Sequence, residues 1–155
     1  MNTKGIAAAA VLLLLAITPN LRAAQCSNAT GAGQWELTAT GVIILPTGVA
    51  IPVAQTGTFT EDTAGNSEGS QTRSIGGKVA NETFKATVSV KPDCTGKAKA
   101  YVYDKQSGAL VRTTTINAVF VNGGLEARGI VTSIVLPDGT KLGPVLTIEY
   151  KRVSF

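Results

Sequence analysis

Hydrophobic and polar residues alternate along most of the chain after residue 34, a pattern typical of β-strands with one buried and one wet face. The segment 80–90, ANETFKATVSV, shows it most clearly. Its predicted inward set is Phe84, Ala86, Val88 and Val90. In the segment 97–104, KAKAYVYD, the predicted inward set is Ala98, Ala100 and Val102, and the outward set is Lys97, Lys99, Tyr101 and Tyr103.

Turn signals recur at intervals of roughly a dozen residues, which predicts eight strands in all. The other six strands are predicted at residues 35–45, 49–62, 67–76, 109–121, 125–136 and 144–153. The segment 67–76, SEGSQTRSIG, has the weakest strand pattern because it is polar and broken by glycine. Pro52 lacks a backbone donor, which predicts an edge position or a bulge near the start of its strand.

The order of these elements predicts an all-β fold. No stretch has the pattern of a long helix that would cover a parallel sheet, so we expect an antiparallel, up-and-down meander. Closure of eight strands into a barrel removes the two raw edges that an open meander leaves. We therefore predict a closed eight-stranded barrel. The alternative is a two-sheet β-sandwich, and pairing of the first strand with the last distinguishes the two.

The N-terminal segment has the layout of a secretory signal peptide. Lys4 precedes an apolar run from Ile6 to Ile17, and small residues follow at Ala23 and Ala24. The run is too short for a membrane-spanning helix, which needs roughly 20 residues. We predict a signal peptide at 1–23 or 1–24, an N-terminal tail at 25–34 and one β-domain at 35–155, secreted or periplasmic. A retained anchor and a lipid on Cys26 are the alternatives.

Two cysteines, Cys26 and Cys94, are present in the whole sequence. In an oxidising compartment a lone pair of this kind is expected to form a disulfide. A catalytic thiol needs a neighbouring imidazole, and the sequence contains no histidine. A structural zinc site needs four ligands, which two thiols do not supply. We therefore predict a crosslink between the N-terminal tail and the turn that holds Cys94.

Charge and composition argue against several classes of function. The formal net charge is +4, and removing Lys4 and Arg22 with the signal peptide leaves about +2. The basic residues are scattered, which does not indicate a nucleic-acid partner. No phosphate loop, serine–histidine pair or histidine metal cluster is present. We expect no cofactor, and no catalytic residue is assigned.

Five residues are candidates for ligand binding: Trp35, Tyr101, Glu126, Arg128 and Glu149. Glu126 and Arg128 share one face of a predicted strand, while Leu125, Ala127, Gly129 and Val131 share the other. If the apolar set lines the core, the two charged residues are solvated on the outside. If the barrel has a polar lumen, they point into it. Glu149 poses the same question, and Trp35 is expected either to plug one end of the barrel or to stack on a ligand.

The segments GTFTEDTAGNSEG and PDCTG carry a resemblance to a group of small exported proteins of soil bacteria with no established activity. The matching residues are Gly57, Phe59, Thr60, Asp62, Gly65 and Asn66, followed by Pro92 to Gly96. The resemblance covers most of the mature chain and implies export and a β-rich fold. It brings no catalytic residues. Lipocalins and the allene oxide cyclase and dirigent barrels are similar by fold analogy alone.

Three functional hypotheses follow. The first is an exported, non-enzymatic barrel that binds a small apolar ligand, an envelope component or another extracellular partner. Small inward residues such as Ala98 and Gly129 support it, because an eight-stranded barrel can hold one small ligand. The second is a cyclase or isomerase in which a shaped cavity steers a reactive substrate. The third is an interaction module of the cell surface, for which a large exposed apolar patch would be the sign.

Overall fold

Eight antiparallel strands follow one another around a closed barrel in the computed structural model, which describes residues 25–153. They are β1 (Gly33–Ile44), β2 (Ala50–Glu61), β3 (Asn66–Ile75), β4 (Lys78–Val90), β5 (Thr95–Asp104), β6 (Leu110–Val121), β7 (Glu126–Val135) and β8 (Lys141–Arg152). β1 also pairs with β8, in a register that places Leu37 opposite Tyr150. This pairing confirms the predicted barrel and excludes the sandwich. The predicted signal peptide lies outside the described residues.

Alternation along the strands decides which side chains fill the barrel. In β1, Trp35, Leu37 and Ala39 are buried, while Glu36 and Thr38 face solvent. The predicted inward faces of β4 and β5 point into the barrel in the same way. The core consists of Leu37, Ala39, Ile43, Val53, Phe84, Val102, Val131, Ile134, Leu146 and Ile148.

β3 is a complete strand although its sequence is polar. Its backbone pairs with β2 on one side and β4 on the other. Ser67 and Gln71 are buried, so this strand turns polar side chains toward the barrel interior. Phe59 pairs with Gly69, where an added β-carbon would overlap the carbonyl oxygen of Thr58 and the β-carbon of Phe59. The weak strand pattern therefore reflects a polar lumen on this side of the barrel.

Irregularities in β7 and β2 differ from the simplest prediction. The pairing of β7 with β6 shifts within the strand, so that Val131 and Ile134 are both buried although they are three residues apart. Leu125, which the sequence groups with the inward residues of β7, precedes the strand and is exposed. Pro52 lies beyond the last pair of β2 with β3, where its carbonyl accepts from the amide of Gly76 at 3.0 Å, and the closed barrel has no edge.

A short helix, α1 (Asn28–Gly31), covers the end of the barrel where β1 begins, here called the α1 end. The predicted disulfide is present, with the Cα atoms of Cys26 and Cys94 4.9 Å apart. The Asn28 side chain donates to the carbonyl of Ala64 (2.9 Å) and accepts from the amide of Val90 (2.8 Å). The predicted tail 25–34 therefore folds against the barrel. Within residues 25–153, no helix is long and apolar enough to cross a membrane.

Candidate functional site

The barrel contains an internal cavity of about 120 Å³, here called the lumen. Small side chains leave this space on the β4–β7 side of the wall. Ala118 lies between Gly96 of β5 and Gly129 of β7, and Ala86 lies opposite Ala100. Ala86 and Ala118 point inward yet are half-buried rather than buried, because no large side chain covers them. The lumen is therefore a space, apolar on the β4–β7 side, that the side chains do not fill.

Aromatic side chains form the floor of the lumen at the α1 end. Trp35 stacks on Phe59 with ring centroids 6.3 Å apart and meets Phe120 edge-on at 6.1 Å. Tyr150 packs edge-on against Phe59 at 5.9 Å. The indole Nε1 of Trp35 donates to the carbonyl of Gly31 at 2.7 Å. Trp35 is thus both the plug predicted from the sequence and part of the lumen wall.

A buried carboxyl, Glu61, and a half-buried guanidinium, Arg152, lie beside this aromatic floor. Glu61 is 6% exposed, and its Oε2 accepts from the hydroxyl of Ser67 at 3.1 Å. Burial raises the pKa of the Glu61 carboxyl, and the nearby charge of Asp62 adds to the rise. Its Oε1 has no hydrogen-bond partner among the described residues. The Arg152 guanidinium lies 4.9 Å above the Trp35 ring and donates to the carbonyl of Thr30 at 2.8 Å, which helps to hold α1 in place.

A second polar group, here called the lumen cluster, consists of Glu82, Arg112, Arg73 and Gln71. Glu82 is 1% exposed and forms a bidentate ion pair with Arg112, at 2.7 and 2.8 Å. The Nε of Arg73 donates to the same carboxylate, and the Gln71 amide donates to it at 2.9 Å. Four donated hydrogen bonds therefore surround one buried carboxylate, and the three donor residues Gln71, Arg73 and Arg112 line the cavity.

The lumen cluster holds its carboxylate in the ionised form. Burial acts to raise the pKa of Glu82, but hydrogen bonds and charge from Arg112, together with hydrogen bonds from Arg73 and Gln71, outweigh it and lower the pKa overall. The cluster then carries two positive charges and one negative charge. Arg73 uses only its Nε within the cluster, and its Nη1 and Nη2 have no hydrogen-bond partner among residues 25–153.

The structure places the other sequence candidates on the outer wall. Arg128 and Glu149 are exposed and lie opposite each other on β7 and β8, and Glu126 lies opposite Lys151. Tyr101 is 38% exposed, with the Lys99 ammonium 5.2 Å from its ring centre. These residues face away from the lumen, so Trp35 alone of the five candidates lines it. Glu126 and Glu149 do not share an internal pocket.

The residues of the lumen cluster were not among the sequence candidates. Glu82 precedes Phe84 by two positions, so the alternation that places Phe84 inside also places Glu82 inside. Arg112 shares its face with Thr114 and Ile116 by the same rule. The alternation of the sequence therefore indicates the inward direction of Glu82 and Arg112, two of the four residues of the lumen cluster. β3 offers no such guide, because its residues are polar on both faces.

The wall of the lumen is mostly aliphatic and aromatic, and its charged residues include those of the lumen cluster, the buried Glu61 and the exposed Lys97. Among the described residues, no group of three or more histidine, cysteine, aspartate or glutamate side chains is placed to hold a metal ion. No protein-family model matches the chain, and no curated protein is significantly similar to it.

Proposed function

We propose that the protein is an exported binding barrel that takes a compact, largely apolar molecule into its lumen. Export is supported by the N-terminal layout of the sequence and by the Cys26–Cys94 disulfide, a crosslink that persists in oxidising compartments. Binding is supported by the interior of the barrel, where small residues leave space that larger aliphatic residues would fill.

One observation carries the proposal: the cavity of about 120 Å³ between apolar walls. An apolar cavity of roughly 150 Å³ in another protein is large enough to bind benzene. The lumen is close to this size, which sets the scale of the ligand at a single six-membered ring or a short aliphatic chain. A well-packed core would not hold such a volume, since voids larger than a water molecule are few in protein interiors.

The single tryptophan reports on the lumen because it forms part of the wall. Cyclohexylmethanol is a suitable probe, since it is neutral and transparent at the wavelengths that excite tryptophan. We expect a saturable change in Trp35 emission on titration, with a matching heat of binding by calorimetry.

Two leucine variants make this experiment specific. Ala118→Leu fills the lumen between Gly96 and Gly129, and we expect it to weaken binding at least about tenfold, as lost cavity space implies. Ala54→Leu adds the same atoms to the exposed face of β2 and should leave binding unchanged. Absence of a saturable signal, or equal binding by both variants, would contradict the proposal.

A further inference from the structure

We infer that the lumen selects an organic carboxylate, whose apolar body lies between the small residues and whose carboxylate binds the free edge of Arg73. This inference rests on the proposed function and adds to it the chemical class of the ligand. It follows from the charge balance of the lumen cluster and from the way in which Arg73 is held.

The four residues of the lumen cluster together carry a net charge of +1. Arg112 is bidentate on Glu82, and this pair is neutral by itself. Arg73 adds a second positive charge against the same carboxylate. Asp104 on β5 is close enough for its charge to act on Arg73, but the two form no ion pair, and the Nη groups of Arg73 have no direct counter-charge among the described residues. A carboxylate bound at these groups would supply one.

The geometry of Arg73 provides the donors for that anion. Because Arg73 contacts Glu82 through its Nε, both terminal Nη groups remain available. Arg73 lines the cavity, and the Arg73 side chain is 20% exposed. A guanidinium presents its donors as a planar fork that fits the two oxygens of a carboxylate. Glu82 accepts from Nε and holds the guanidinium in position, so little conformational freedom is lost on binding.

The size and net charge of the site favour a carboxylate over a phosphate ester. The lumen cluster has a net charge of +1, whereas a phosphate ester carries nearly two negative charges at neutral pH. Most of the remaining wall is aliphatic and aromatic, so a ligand needs an apolar body to gain from entering the lumen. A small carboxylic acid with one ring or a short chain satisfies both requirements.

The test compares cyclohexanecarboxylate with cyclohexylmethanol, which share the same ring and differ in charge. Near pH 7 we expect the parent protein to bind the carboxylate about tenfold or more tightly, as charge-assisted hydrogen bonds imply. Arg73→Gln should remove this preference, bringing the ratio of the two affinities close to one. The variant is expected to fold because Arg112 still neutralises Glu82, which circular dichroism and thermal melting verify. Arg73→Lys, which keeps the charge but loses the fork, should retain part of the preference.

Arg128→Gln is the matched control, since Arg128 is an exposed arginine on the outer wall. It should keep the full preference of the parent protein. Equal affinity of the parent for the two probes, or a preference that survives in Arg73→Gln, would overturn the inference while leaving the proposed function intact. Failure of both probes to bind would overturn the proposed function itself.

Discussion

At the scale of single residues, the pKa values of two buried glutamates shift in opposite directions. Glu82 receives four hydrogen bonds and two positive charges, so its charged form is stabilised in spite of burial. Glu61 has one hydroxyl donor and is dominated by desolvation, which favours its neutral form. The difference comes from the neighbours that the strands supply, since both residues are almost completely removed from solvent.

Removing the charge of Glu82 is expected to be costly. Glu82→Gln leaves Arg73 and Arg112 close together in the barrel without a counter-charge, and breaking a buried ion pair in this way typically costs about 3–5 kcal/mol. Urea unfolding measures the loss. Glu68→Gln, on the exposed face of β3, is the control and should change the free energy of unfolding by less than about 0.5 kcal/mol. Equal stability of the two variants would show that the lumen cluster does not hold its charge as described.

Because the pKa of Glu61 is raised, this residue is expected to lower the stability of the fold as the pH rises. The pKa of the Glu61 carboxyl is raised in the folded state above its ordinary value of 4.5. Between pH 4.5 and the raised pKa, the folded protein therefore binds more protons than the unfolded chain. The contribution of Glu61 to stability is therefore fully present below about pH 4.5 and is lost as pH rises through the raised pKa. Glu61→Gln imitates the neutral form and should gain stability relative to the parent over this range. Urea unfolding from pH 4 to 8 tests it, and a difference that does not change with pH would contradict it.

At the scale of elements, close approach of backbones shapes the barrel wall. Gly41 in β1 has a φ of +148°, and a β-carbon there would overlap the carbonyl oxygen of Val145 in β8. The β1–β8 seam, which closes the barrel, runs on both sides of this point. A side chain at Gly41 would therefore have to push the two strands apart.

Gly41→Ala is expected to destabilise the protein more than a matched change elsewhere. Gly48 also has a positive φ, +85°, but a β-carbon there meets nothing within 4 Å. Gly48→Ala should cost about 1–2 kcal/mol for backbone strain alone, and Gly41→Ala about 1–3 kcal/mol more for the overlap. Thermal and urea unfolding compare them directly. Equal losses would indicate that the seam can relax.

The strands also show how far the sequence predicts this molecule. β4 and β5 alternate strictly, so their inward faces follow from the residue pattern. The inward direction of Arg73 and Gln71 does not, because polar residues on both faces leave nothing to fix the register. The choice between lumen and outer wall for Glu126 and Arg128 needed the neighbours of β7, where Ala127 and Val131 are buried. The ion pairs of the lumen cluster join residues of β3, β4 and β6. They depend on the closed barrel, so the pattern along any one strand does not predict them.

At the scale of the whole molecule, the disulfide fixes the N-terminal segment across the α1 end. Residues 26 and 94 are 68 positions apart, and a crosslink over a loop of this length is valued at about 4 kcal/mol when it restricts the unfolded chain. The double variant Cys26→Ala/Cys94→Ala should lose stability of about this size in urea. Thiol labelling of the native, unreduced parent should detect no free thiol. Unchanged stability would show that α1 is held by Asn28 and Arg152 without the crosslink.

The account as a whole depends on an open apolar space inside the barrel. Crystals of the parent protein under xenon pressure test this most directly, because xenon enters apolar cavities of this size. We predict an ordered xenon atom in the lumen, in contact with Ala86, Ala98 and Ala118. Xenon found only on the outer surface, with the barrel interior filled by side chains, would contradict the account.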